Sequence, residues 1–133
     1  METTIIKSAG HFNRLVDNDW DAARWGQAAA HVWLDILEDF PDLTHAVSLN
    51  KNLPDEILIL LSKHEDRRIR STIAMKRRLP RQVFLSLSRD PYEAIRLHIA
   101  CNPKTPRDIL ERMQADSWGR VARRASERLR GNG

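Results

Sequence analysis

Apolar residues in the middle of the chain keep helical spacing, and the whole pattern then returns one unit later. Ile57, Leu58 and Leu61 make one stripe, and Ile69, Ile73 and Ala74 make a second beyond a polar break, so this stretch predicts two short helices. Residues 53–78, LPDEILILLSKHEDRRIRSTIAMKRR, align without a gap on residues 79–104, LPRQVFLSLSRDPYEAIRLHIACNPK. Leu53 meets Leu79, Pro54 meets Pro80, Ile57 meets Val83, Leu58 meets Phe84 and Leu61 meets Leu87; Ile69, Arg70, Ile73 and Ala74 meet Ile95, Arg96, Ile99 and Ala100, all at an offset of 26. A third copy, residues 105–130, opens on Thr105 and Pro106 and keeps Ile109, Leu110, Met113, Val121 and Ala125 at the same positions, up to Leu129. A fixed period marks a repeat array in which each unit buries its apolar side against its neighbours. About ten residues per helix are marginal alone, so stacking must supply the stability.

Polar residues mark the helix starts. In the second copy Asp90 is placed to cap the new helix, Pro91 suits its first turn and Glu93 completes a capping box; Thr105, Pro106 and Asp108 repeat the arrangement. Because Ile69 and Ile73 point inward, Arg68, Thr72 and Met75 are expected to point out, followed one repeat later by Ala94, His98 and Cys101, and then by Arg120, Arg124 and Glu127. Arg24, Arg70 and Arg96 recur beside the stripe. They predict a ladder in which each stem covers apolar surface and each guanidinium pairs with a carboxylate or carbonyl of the next unit.

The first fifty-two residues read as degenerate repeats that cap the array. Phe12, Leu15, Asp19, Ala23, Arg24 and Ala28 echo Phe84, Leu87, Pro91, Ile95, Arg96 and Ala100 at an offset of 72, and Leu43 and Val47 echo Ile69 and Ile73 at 26. Trp33, Leu34 and Leu37 continue the helical spacing, and Trp20, Trp25 and Trp33 are expected to cover an open core end. The chain is therefore expected to be all-α and to form one domain over residues 1–133, with capping repeats at 1–52 and regular repeats at 53–78, 79–104 and 105–130. The tail Arg130, Gly131, Asn132 and Gly133 is expected to fray.

Composition narrows the functional classes. The longest apolar run, residues 57–61, cannot cross a bilayer, so no membrane contact is expected. METTIIKSAGHFNR lacks a secretory apolar region, and Cys101 is the lone cysteine, which together lead to a cytoplasmic expectation. Charge is strongly divided: residues 1–50 hold 3 Lys/Arg against 8 Asp/Glu, or −5, while residues 51–133 hold 19 against 10, or +9. Such a field steers an acidic partner toward the later repeats or a basic one toward the beginning of the chain.

Catalytic and metal patterns mostly fail. Asp17, Asn18, Asp19, Trp20 and Asp21 imitate the opening of a calcium loop, but Ala22 and Ala28 stand where that loop needs glycine and glutamate, so the cluster is expected to be a helix N-cap. His11, His31, His45, His64 and His98 make no zinc-type pair, and nothing completes a His98–Cys101 dyad. With no phosphate loop or nucleophile elbow either, a non-enzymatic protein without cofactor or metal is expected.

The cadence from Asp90 to Leu110, with Pro91, Ile95, Arg96, Ile99, Ala100, Asn102, Pro103, Thr105, Pro106, Ile109 and Leu110 in step, resembles the leucine-rich repeat variant family, close in architecture to HEAT-like repeats. The resemblance implies a right-handed α-solenoid of about five short helical-hairpin repeats, used for binding rather than catalysis. That family's type member carries an iron–sulfur cluster on several cysteines, which Cys101 alone cannot reproduce. In size and repeat type the chain also resembles small bacterial immunity proteins, which implies a protein partner, a toxin domain. Nucleic acid is the alternative partner, from a likeness in architecture to HEAT-like DNA repair proteins and from the pI of 9.7.

Two surfaces compete for the partner. The outward rows mix apolar and basic residues, which suits protein recognition better than phosphate tracking, where each row would carry Lys or Arg. An acidic partner is expected at Arg68, Met75, Arg77, His98, Arg120 and Arg124, beside the basic run Lys76, Arg77, Arg78 and Arg81. A basic partner would instead select Asp17, Asp19, Asp21, Glu38, Asp39 and Asp42.

Overall fold

The computed structural model describes residues 3–131, so the expectation of fraying at Asn132 and Gly133 lies outside the described residues. Among the described residues the fold is all-helical, with ten α-helices, one 3-10 turn and a single parallel β-bridge between Ile5 and Gln27. The chain divides into two compact units, residues 1–61 and 62–133, and the boundary falls inside the 53–78 repeat.

The first unit holds α1 (Ala9–Asn18), α2 (Trp20–Trp25), α3 (Ala30–Asp39), a 3-10 turn (Pro41–Leu43), α4 (Thr44–Ser48) and α5 (Asp55–Leu61). Its core gathers Ile6, Phe12, Ala23, Trp33, Ile36, Val47, Ile57 and Leu61, each essentially fully buried. Phe12 meets Trp33 edge to face at 5.4 Å. The tryptophans do not act together: Trp33 is buried, Trp20 half-buried and Trp25 54% exposed. Asp19 caps α2 by accepting from the Ala22 N–H at 3.2 Å, with Asp21 in the first turn, which is the N-cap role read from the sequence.

A loop satisfies the other end of α2. The Asn50 amide donates to the Ala23 and Gly26 carbonyls at 2.8 and 3.0 Å, the Lys51 N–H to the Arg24 carbonyl at 2.7 Å, and the Asn52 amide to the Trp25 carbonyl at 2.6 Å. These four carbonyls would otherwise have no partner at a helix end, so the buried Asn50 holds a six-residue helix that propensity alone would not.

The second unit holds α6 (Arg67–Ala74), α7 (Arg81–Leu87), α8 (Glu93–Cys101), α9 (Arg107–Met113) and α10 (Gly119–Leu129). Helix α8 packs between α6 and α10 in repeat register, with α7 and α9 against them. Ile69, Ile73, Ile95, Ile99, Val121 and Ala125 are all buried, as the stripes require.

The repeated arginines work as a ladder at two of the three expected rungs. Arg70 donates through Nε and Nη2 to the two oxygens of Asp90 at 2.7 and 3.3 Å, and Arg96 does the same to Asp116 at 2.8 and 3.1 Å. Each Nη1 also reaches a carbonyl of its own repeat, His64 for Arg70 at 2.8 Å and Asp90 for Arg96 at 2.7 Å. Arg24 departs from this pattern and lies over the Trp25 ring at 5.8 Å.

Three local expectations are corrected by hydrogen bonds. Helix α8 starts at Glu93, not beside Asp90, and the Asp90 N–H goes to the Leu87 carbonyl, so no capping box closes; the carboxylate instead accepts from the Tyr92 N–H at 2.9 Å while holding Arg70. Thr105 donates backward to the Ile99 carbonyl at 2.6 Å and does not cap α9. Thr72, expected outside, is buried, and its hydroxyl donates to the Arg68 carbonyl at 2.9 Å, so it is satisfied there without water.

Candidate functional site

The sequence-predicted basic surface is partly gathered into a groove of about 370 Å³ in the second unit. Met75, Arg77, His98 and Cys101 line it together with Ala74, Asn102 and Pro103. Local structure explains the concavity. Helix α6 ends at Ala74, Met75 forms its C-cap and is 60% exposed, and the chain then turns away through the exposed Arg77 and Arg78. Asn102, buried at the end of α8, donates to the Lys76 and Arg77 carbonyls at 2.9 and 3.2 Å and accepts from the Lys104 N–H at 2.7 Å. One side chain therefore ties the two helix ends that form the groove walls and fixes where Arg77 leaves the backbone.

The remaining predicted residues lie outside this groove. Arg68 has a side chain 82% exposed at the start of α6 and is already engaged by Asp66, whose carboxyl is pulled to about 2 by the Arg68 guanidinium and backbone N–H. Arg120 sits over the Trp118 ring at 5.3 Å, and Arg124 is half-buried on α10. Arg67 covers the Tyr92 ring at 4.1 Å, a contact that helical periodicity did not single out.

Burial raises the Asp116 carboxyl, but hydrogen bonds from the Arg96 side chain and the Trp118 N–H, with the Arg96 charge, outweigh it and leave the group below the usual carboxylate range. Arg96 is correspondingly raised, first by the Asp116 hydrogen bond. Arg70 and Arg96 are thus committed to the scaffold, whereas Arg77 at the groove rim is exposed.

The acidic set is also divided. Asp19 and Asp21 line a cleft of about 480 Å³ in the first unit with Thr3, Thr4, Ala22, Trp25 and Gly26. Asp17 at the end of α1, Glu38 and Asp39 in the last turn of α3, and Asp42 in the 3-10 turn are exposed and do not line it. No group of three or more His, Cys, Asp or Glu is placed to hold a metal ion among the described residues, and no helix among them is long and apolar enough to cross a membrane.

Asn50 and Asn102 are the positions that sequence reasoning passed over. They stand 52 residues apart, two periods of the repeat, and both are buried with their amides on preceding helix-end carbonyls. Arg128, one further period on, donates to the Asn102 and Ala100 carbonyls at 2.8 and 3.3 Å. The available signal was a polar residue recurring at the repeat period just beyond an apolar stripe. The chain matches no protein-family model, no curated protein and no solved structure.

Proposed function

We propose that the 26-residue repeats stack as a right-handed α-solenoid and that this protein is a non-enzymatic binding module for another protein. An acidic segment of the partner docks in the groove of the second unit. The observation that carries this reading is the groove itself: exposed Met75 beside Arg77 and His98, held open by Asn102. Met and Arg are favoured at recognition surfaces because one supplies adaptable apolar area and the other directional donors for carboxylates. The second unit holds 18 Lys/Arg against 8 Asp/Glu, or +10, so the long-range field favours the same partner charge.

The narrower reading is an immunity protein that neutralises a toxin domain. It rests on the resemblance in size and repeat type, and it requires the toxin to present an acidic, partly apolar segment to this groove. Cytoplasmic action is part of this proposal.

Selection of a random-sequence peptide library on the immobilised protein tests the binding surface. Among the peptides enriched by the wild type, those that bind the groove are expected to join Asp or Glu to apolar residues and to lose about tenfold or more in affinity against Arg77→Glu or Met75→Asp, a change of about 1.4 kcal/mol. Asp39→Lys and Asp42→Lys should leave binding intact. Basic peptides whose affinity follows Asp39 and Asp42, with no effect of Arg77→Glu, would overturn the assignment.

A further inference from the structure

The cleft of the first unit has a chemistry opposite to that of the groove. One wall is the extended segment at Thr3 and Thr4, held by a hydrogen bond from the Gln27 N–H to the Thr4 carbonyl at 2.9 Å and another from the Ile6 N–H to the Gln27 carbonyl at 2.8 Å. The facing wall is α2, where Asp21 and Trp25 stand one turn apart with Ala22 between them. Gly26 lets the two walls approach: a Cβ there would lie 2.6 Å from the Ala22 carbonyl oxygen and 2.7 Å from the Ile6 Cδ1. Asn50, Lys51 and Asn52 hold the α2 carbonyls from behind, so the walls are fixed by hydrogen bonds on both sides.

What lines the cleft decides its ligand class. Asp19 uses one oxygen on the Ala22 N–H, and among the described residues neither Asp19 nor Asp21 is in an ion pair. Trp25 is 54% exposed, and the Arg24 guanidinium lies 5.8 Å from its ring centroid, so the indole already serves as a cation acceptor. The first unit holds 4 Lys/Arg against 10 Asp/Glu, or −6, which disfavours an anion. A hard metal cation is also a poor fit, since it requires about six oxygen ligands and an indole wall supplies none. A planar organic cation fits both wall types at once, with its face on the ring and its edge donating to the carboxylates.

We propose that the cleft between the Thr3–Thr4 segment and α2 receives the guanidinium of an arginine side chain presented by a polypeptide partner. Asp21 and Asp19 accept its N–H donors, Trp25 stacks on its plane, and the Thr3 and Thr4 hydroxyls offer further acceptors at the opposite wall. The site stands independently of the groove in the second unit.

The test follows the Trp25 indole N–H resonance, identified by its disappearance in Trp25→Phe, during titration with acetyl-Gly-Arg-Gly-amide and with the uncharged citrulline counterpart. A saturable shift is expected with the arginine peptide, and affinity about tenfold weaker for citrulline and for Asp21→Asn. Asp21 is exposed, so that variant should melt like the wild type. Calorimetric titration of Trp25→Leu is expected to show a loss of about fivefold or more from the missing aromatic face. Arg77→Glu should bind the arginine peptide unchanged, which separates this site from the groove. Equal binding of citrulline, undiminished binding by Asp21→Asn, or no saturable shift up to about 10 mM peptide would overturn the proposal.

Discussion

Arg96 grips Asp116 twenty residues ahead with two guanidinium hydrogen bonds, Nε to Oδ2 at 2.8 Å and Nη2 to Oδ1 at 3.1 Å, and the two side chains are 14% and 7% exposed. The Arg70–Asp90 pair repeats the geometry one period earlier at 14% and 3% exposure. Each carboxylate also accepts the N–H two residues on, Trp118 for Asp116 and Tyr92 for Asp90, so one group orders a helix start and locks it to the preceding repeat. In the first regular copy His64 takes the same position: its Nδ1 accepts from the Asp66 N–H at 3.0 Å.

Asp116→Asn leaves the poorly exposed Arg96 without its counter-charge while its carbonyl partners remain. A loss of about 3 kcal/mol is expected, read as a lower denaturant midpoint. Because the folded Asp116 carboxyl lies below its ordinary value, its contribution is fully present above about pH 4 and is lost as pH falls through the folded value. Melting temperatures from neutral to acid pH should therefore fall less steeply for Asp116→Asn than for the wild type.

Asn102→Leu removes both donors to the Lys76 and Arg77 carbonyls and the acceptor for the Lys104 N–H. The cost should be about 2 kcal/mol, because part-buried backbone groups lose these hydrogen bonds. If Asn102 also positions Arg77, peptide binding at the groove should weaken even where the variant is fully folded, a distinction made by titrating well below its melting temperature.

Gly26→Ala tests the close approach in the first unit. The glycine φ of −67° suits any residue, so the penalty is steric, from the Ala22 carbonyl oxygen and the Ile6 side chain. Destabilisation of about 1–3 kcal/mol is expected by chemical denaturation. A variant of wild-type stability would show that Ile6 yields without cost.

Ile99→Asp should unfold the second unit, since Ile99 is completely buried between repeats and an unpaired carboxylate there costs several kcal/mol. Far-ultraviolet circular dichroism checks it. Retention of the wild-type cooperative melt would contradict the repeat register.

Binding to a short DNA duplex should be weak and should fall steeply as salt rises. Arg70 and Arg96 are occupied by buried carboxylates, which removes two cations from any phosphate-tracking row. A complex that survives at about 0.15 M salt would favour nucleic acid over an acidic protein segment.

The period of 26, the paired helices and the buried Ile73, Ile99 and Val121 were legible in the chain, because hydrophobic spacing is a local property that survives into the folded state. The arginine ladder was legible where the repeat is regular. It failed at Arg24, which has Thr44 and no carboxylate twenty residues ahead, so its guanidinium turned to the Trp25 ring. The pinning roles of Asn50 and Asn102 and the split of the acidic residues between a cleft and open surface were decided by tertiary structure. Each depends on which backbone carbonyl or wall stands opposite a short polar side chain. That is fixed by packing between segments far apart in the chain; periodicity marks the position of such a residue but not the bond it makes.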